Sequence, residues 1–326
     1  MDWRSNCQKD TGIEVISPVD GSPADKAGIR TGDLITHVDG KPLSGLSLSQ
    51  GVGLMRGKIG SKISLTILRD DAAAPITVDL IRTKFVDTGI TSRAEGKVGY
   101  IRIASFTDKS PADFKKAVET LRKSIGRDLQ GYIIDLRNCS GGLLIPVTEI
   151  ADALLDGGTI VSTRGRQEAI NKTYDAKPGD ITDGKRIVVL VNGGTASGAE
   201  ILAGALKDNG RAVLLGSHTF GNGTVAEFIP IKDFGAMKVT NGRFHTPIGR
   251  PIEGLGLTPD IELNQAAPGS PTDGAQGTLR YAYVPKDKTE DAQLQKALEV
   301  IADKETPPPV TAPESGLTAE DLRSLD

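Results

Sequence analysis

Short apolar runs separated by turn residues open the chain. Gly12–Ile16, Leu34–Val38, Ile63–Leu68 and Ile76–Ile81 alternate with signals such as Asp20-Gly21 and Asp39-Gly40. Runs of that length between turns predict strands. Within them, Ser22-Pro-Ala-Asp-Lys-Ala-Gly28 predicts a short helix, capped by Ser22, begun by Pro23 and ended at Gly28. From Val98 the rhythm changes. Val98–Ala104 reads as a strand, and behind Ser110-Pro-Ala-Asp113 the residues Phe114, Ala117, Val118 and Leu121 recur at helical spacing. Tyr132–Leu136 and Ile187–Val191 read as buried strands, Ala199–Leu206 as a helix and Ala212–Leu215 as a further strand. Strand and helix in alternation predict a mixed α and β fold of the layered α/β kind.

The pattern divides the chain into an unassigned stretch over 1–11, a small, mostly β module over 12–82, a polar linker over 83–97 and an α/β core over 98–263. An extension follows over 264–326. Within it, Asn264–Gln276 is rich in Ala, Gly, Pro and Ser and reads as a loop. Glu290–Lys304 predicts one helix with Leu294, Ala297, Leu298 and Ile301 on a face, and the Pro307-Pro-Pro309 tail is expected to lack order.

Composition narrows the function more than the fold. A length of 326 residues suits about two domains. A net charge of −3 supplies no reason to expect nucleic acid or an anionic membrane surface as partner. No run of 18 apolar residues exists, so no segment is expected to be integral to a membrane. Cys7 and Cys139 are too few for a disulfide framework, and with three histidines no metal cluster is indicated; neither metal nor cofactor is expected. Met1–Cys7 lacks the apolar stretch of a signal peptide.

Three glycine-rich turns carry the candidate chemistry. Asn192-Gly-Gly-Thr-Ala-Ser-Gly-Ala-Glu200 places Ser197 after an apolar strand and before a helix, where helix-start amides converge. A serine needs a base to take its proton and donors for the oxyanion. Taken alone, Ser197 fits a helix N-cap equally well. Asp135-Leu-Arg-Asn-Cys-Ser-Gly-Gly142 runs a buried strand into a Gly-Gly bend whose amides are unobstructed, although an ordinary strand-to-helix turn reads the same way. Thr219-Phe-Gly-Asn-Gly-Thr-Val225 centres on Asn222, 25 positions after Ser197.

Those three blocks, the closing Gly254-Leu-Gly-Leu257 with Pro259-Asp-Ile-Glu-Leu263, and the phrase Ile29-Arg-Thr-Gly-Asp-Leu-Ile-Thr-His-Val-Asp-Gly-Lys-Pro42 occur in order. The phrase resembles a PDZ domain signature. The ordered set, from about Gly12 to Leu263, resembles the carboxy-terminal processing (tail-specific) serine proteases of the bacterial periplasmic type. That resemblance implies a crotonase/Clp-like ββα core working through a Ser–Lys dyad. It also implies a PDZ module that receives protein or peptide C-termini, and a periplasmic or cell-envelope location. Mapped residue by residue, Ser197 matches the nucleophile, the Gly198 amide one oxyanion donor and the Gly141 or Gly142 amide the other. Peptide binding falls on Gly12, Ile13 and Val15.

The chain departs from the family at the base. Asn222 stands at the lysine position, and Ala226 stands where a glutamine orients it. A desolvated lysine can be neutral and accept the serine proton, whereas an asparagine amide cannot. His218 is the best rescue base, against its reading as a solvated loop histidine. Glu200 is another, against its reading as a first-turn carboxylate favoured by the helix dipole. Lys207 lies roughly 15 Å along the helix from Ser197. In the small module one strand before Ser17-Pro18 is expected to be missing, and Gly51 and Gly53 weaken the groove helix Leu48–Met55. An N-terminally truncated form accounts for both the missing strand and the missing signal. The function expected is serine endopeptidase, with two alternatives: a pseudoprotease that binds peptides, and a crotonase-like enzyme acting on acyl-thioesters. Fold alone does not choose among them.

Overall fold

A computed structural model describes residues 7–9, 11–15, 18, 21–69, 72–83, 89–231, 235–265, 283–285 and 287–303. The expectations for most of the Asn264–Gln276 loop and for the Pro307–Pro309 tail lie outside the described residues. The chain forms two compact units, one of Met1–Thr88 with Asn264–Asp291 and the other of Gly89–Leu263 with Ala292–Asp326. The expected extension is thus shared between them.

The first unit is a β sheet with two short helices. Its elements are β1 (Cys7–Lys9), β2 (Gly12–Glu14), α1 (Pro23–Lys26), β3 (Leu34–Val38), β4 (Lys41–Pro42), α2 (Leu48–Met55), β5 (Lys62–Leu68) and β6 (Ile76–Ile81). The strands run in the order β1-β2-β3-β5-β6, with β4 on β3. Alternation along β5 sends Ile63, Leu65 and Ile67 into the core, where Ile13, Ile29, Ile35, Val38 and Met55 meet them. Each fully buried side chain contributes about 1.5–3 kcal/mol. Ser22 caps α1 by accepting from the Asp25 amide, as expected from its sequence. The stretch over 1–11 holds a strand that sequence did not reveal, which corrects the expectation of a missing strand: both β1 and β2 stand ahead of Ser17-Pro18. Three polar residues carry no apolar alternation, and β1 is defined by backbone pairing to β2.

The second unit contains β7 (Ile90–Glu95), β8 (Val98–Ile103), α3 (Ser110–Ile125), β9 (Gly131–Asp135), α4 (Leu144–Leu154), β10 (Thr159–Gly165), β11 (Lys172–Asp175) and β12 (Arg186–Val191). It continues with α5 (Gly198–Asp208), β13 (Val213–Gly216), β14 (Thr224–Ile231), β15 (Gly235–His245), β16 (Ile261–Glu262) and α6 (Ala292–Ala302). The main sheet runs β16-β13-β12-β9-β8-β7, parallel except where β7 pairs antiparallel with β8. A second sheet runs β11-β10-β15-β14. The expected linker therefore ends early: Ile90–Glu95 is an edge strand, hidden in the sequence because most of its side chains stay partly or fully exposed.

Period two splits the main sheet into two buried faces. Ile101, Tyr132, Ile134, Ile187, Val189 and Leu214 join one core with α3, α4 and α5. Tyr100, Ile133, Val188, Leu190 and Val213 join another with Leu294, Ala297 and Ile301 of α6. The expected C-terminal helix is thus a layer of the core unit. Since β9 and β12 are adjacent and parallel, the turns after their carboxyl ends lie side by side, the usual location for a site in such sheets.

Candidate active site

The turn after β12 delivers Ser197 to the start of α5 with φ 55° and ψ −119°. A non-glycine residue there carries about 1–3 kcal/mol of strain, which persists only where neighbours over-determine it. They do so here. The Ser197 amide donates to Glu200 Oε2 at 2.9 Å, the Ala196 amide to the Cys139 carbonyl at 2.9 Å, and the Glu200 amide to the Ser197 carbonyl at 2.9 Å.

The turn after β9 is braced against this one through buried polar side chains. The Asn138 amide donates to Asn192 Oδ1 at 2.9 Å, and Asn192 Nδ2 returns to Asn138 Oδ1 at 3.0 Å. Thr195 Oγ1 donates to the Leu136 carbonyl at 3.0 Å. The bend that follows touches the serine directly. A Cβ on Gly141 would sit 2.6 Å from the Gly198 nitrogen and 2.9 Å from Ser197 Cβ, and one on Gly142 would sit 2.2 Å from the Phe106 carbonyl oxygen. With φ of 94° and 152°, these positions exclude a side chain on conformational grounds as well. Among the described residues, neither the Gly198 nor the Gly142 amide donates to a backbone acceptor.

Beneath the bend, Asp135 and Arg137 form a fully buried ion pair at 2.7 Å. Tyr100 donates to Asp135 at 2.6 Å, and Gln293 of α6 accepts from Arg137 at 3.1 Å. Burial alone pushes the Asp135 carboxyl up, but the Arg137 and Arg102 guanidinium groups outweigh it and hold the carboxyl well below the usual range. The Tyr100 hydroxyl is raised by burial and by the Asp135 charge.

The third turn joins the other two. The Phe220 amide donates to the Thr195 carbonyl at 2.9 Å. The Glu200 carboxylate, itself buried, accepts from the Thr219 hydroxyl, the Gly221 amide at 2.7 Å and the Asn222 amide at 2.9 Å. Its Oε2 is shared by the amides of Ser197 and Asn222, so both backbones lie one hydrogen bond from the same atom. Burial raises the Glu200 pKa, and the bonds from Thr219 and the three amides pull against that rise. Asn222 itself is exposed, with Oδ1 accepting from Thr224 at 3.5 Å. Ala226 lies in β14 opposite Thr240, just past a bulge.

The candidate rescue bases are placed differently. His218 Nδ1 donates to the Thr219 carbonyl at 2.9 Å, and its ring lies against Gly256, where an added Cβ would fall 2.8 Å from Cε1. Glu200 spends its oxygens on the four donors named above. Lys207 Nζ pairs with Asp260 at 3.0 Å and donates to the Thr258 carbonyl at 2.7 Å. Of the residues expected to bind peptide, Gly12 and Ile13 pair with β1, Ile13 also pairs with Ile35, and the Val15 amide donates to the Asp33 carbonyl. The sequence reading passed over Asn138, Asn192, Thr195 and Gln293. Asn192 alone had a signal, polarity immediately after the buried run Ile187–Val191, where an unpaired polar group is costly.

A serine strained into a strand-to-helix turn, set against a Gly-Gly bend in an α/β core that follows a PDZ-like β unit, defines a serine peptidase class. Residues 97–263 match peptidase family S41, and residues 14–69 match a PDZ domain. A carboxy-terminal-processing protease of Bartonella bacilliformis is 39% identical over 309 residues, covering 89% of this chain and 71% of its own. A carboxyl-terminal-processing protease of Picosynechococcus is 39% identical over 292 residues, covering 87% and 69%. The solved photosystem II D1 C-terminal processing protease superposes with a TM-score of 0.66 at 31% identity, covering 80% of this chain and 71% of its own. The chain belongs to the tail-specific, carboxy-terminal-processing serine protease family with an N-terminal PDZ domain.

Proposed function

We propose that this chain attacks peptide bonds near protein C-termini through Ser197, with the Gly198 amide and a Gly141 or Gly142 amide receiving the oxyanion. In this reading its proton-transfer side is vacant. The carrying observation is the contrast at Glu200, which ties the Ser197 and Asn222 backbones to one oxygen while residue 222 brings no base. Asparagine accepts no proton from serine, and Glu200 is already saturated with donors. Turnover therefore falls about 10²–10⁴ below that of a lysine-bearing form. The exposed apolar side chains Leu143, Ile145 and Phe220 beside the turns suit an unfolded peptide segment. The relatives' names carry the C-terminal preference; the periplasmic or envelope setting and the crotonase/Clp-like ββα core belong to the same proposed reading.

Asn222 favours a second reading, in which the chain only binds peptides. Both are tested on an unstructured peptide with the parent, Ser197→Ala, Asn222→Lys, and Asn222→Lys with Ala226→Gln. The first reading expects slow parental cleavage, lost in Ser197→Ala and raised by the lysine. A parent no faster than Ser197→Ala leaves the binding reading standing. Cleavage that survives Ser197→Ala overturns the assignment of the nucleophile.

A further inference from the structure

Gln293 is out of character with its surroundings. It lies in the first turn of α6, on the face that packs Leu294, Ala297 and Ile301 against the main sheet, and its side chain is fully buried. An apolar residue would pack there at no polar cost, whereas a buried amide must find partners for both its ends. It finds them. Oε1 accepts from Arg137 Nη1 at 3.1 Å, and Nε2 donates to the Leu263 carbonyl at 2.7 Å.

Arg137 is the root of the Gly141–Gly142 bend. Its Nε and Nη2 donate to the Asp135 carboxylate, and its carbonyl accepts from Arg102 at 2.9 Å. Further on, the Cys139 amide donates to the Leu136 carbonyl at 3.0 Å. The Phe106 amide donates to the Gly141 carbonyl at 3.1 Å, and the Leu143 amide to the Phe106 carbonyl at 3.0 Å. The guanidinium is thus gripped from two sides, by a carboxylate of β9 and by an amide of α6, and the main chain leaving it becomes the bend.

We propose that Gln293 is a positioning residue for the reaction at Ser197: it holds the Arg137 side chain in one orientation and so fixes the bend whose Gly141 or Gly142 amide receives the oxyanion. This rests on the reading of that bend as the oxyanion site. A group misplaced by about 1 Å can cost about a hundredfold in rate, so a loosened bend is felt in kcat before it is felt in substrate binding.

Two substitutions separate the arms of the amide. Gln293→Leu removes both. Gln293→Glu loses the donor to Leu263 but keeps an acceptor for Arg137, beside two guanidinium groups that share the one Asp135 carboxylate at 2.7 and 3.5 Å. Both are made in the full chain carrying Asn222→Lys, with hydrolysis of an unstructured peptide as the assay. For Gln293→Leu kcat should fall about tenfold or more with KM within about twofold, and for Gln293→Glu kcat should stay within about threefold of the parent. Equal losses in the two variants, or a raised KM with kcat intact, overturn the proposal. Absence of Ser197-dependent cleavage in this background counts against the reading of the site and leaves Gln293 to a second measurement. Hydrogen exchange without substrate should be about tenfold faster at the Asn138, Cys139 and Leu143 amides of Gln293→Leu, unchanged in β12, and at the parental rate in Gln293→Glu. Equal exchange in all three proteins, or acceleration spread evenly through β12, overturns the proposal whether or not any of them cleaves. Gln293→Met takes the place of the leucine variant should that one fail to fold.

Discussion

The turn that presents Ser197 and the turn that presents Asn222 are built to different standards. Around Ser197 the backbone is strained, the neighbouring glycines admit no Cβ, and buried side chains of Asn138, Asn192 and Thr195 answer one another's hydrogen bonds. Around Asn222 the backbone is equally tied down, by Glu200 and by the Phe220 bond to Thr195, but the side chain stands in solvent. Oxyanion donors are main-chain groups, so they last as long as the fold does. A general base is one side chain, and a single substitution removes it without disturbing the frame. In the proposed reading that difference explains how a chain keeps the shape of a peptidase while losing most of its rate.

The comparison breaks most visibly at Asp135. Asparagine there removes the buried carboxylate that Arg137 and Arg102 share, and the expected loss is about 3–5 kcal/mol in urea unfolding near neutral pH. The pH dependence carries the sign. A carboxyl held low in the folded state stabilises above its ordinary pKa of about 4, and that stability drains away as pH falls through the carboxylate range. The parent should therefore lose stability on acidification more steeply than Asp135→Asn. Parallel curves would mean that the Arg137 pair is not what holds the bend.

Next in size is Gly141→Ala, expected to lose about 1–3 kcal/mol from strain at positive φ. Its new Cβ also pushes against Ser197 Cβ and the Gly198 amide. Thermal unfolding reads the first effect. In an Asn222→Lys background, kcat reads the second and should fall further than stability alone explains. A variant as stable and as fast as its parent would show that the bend and the serine are not in contact.

How much of this was legible beforehand depends on where the stabilising partner lies. The runs Leu34–Val38 and Ile76–Ile81 became strands with the same bounds, because burial on one sheet face writes itself into apolar spacing. The three glycine turns were visible as composition, and their meeting was implied by resemblance. β1 and β7 were not visible, since polar strands are defined by the chain they pair with. Nor could the sequence show that Glu200, read as a first-turn carboxylate or stand-in base, would be consumed in joining two turns. Gln293 lies 156 positions from Arg137 and carries no local sign of their hydrogen bond.

The smallest expected effect is the sharpest test of the contrast. Asn222→Ala keeps the amide that donates to Glu200 and removes an exposed side chain whose hydrogen bond, from Thr224 at 3.5 Å, is at the limit of length. Surface changes of that kind stay within about 0.5 kcal/mol, so urea unfolding of the variant should overlay the parent's. The adjoining frame predicts the reverse for Asn222→Pro, which deletes the donor to a buried carboxylate and should cost about 1–3 kcal/mol. If alanine proves as damaging as proline, the asparagine side chain has taken on the work of holding the turn. Position 222 would then be occupied by a structural residue, and in the proposed reading a lysine there would cost stability before it added any rate.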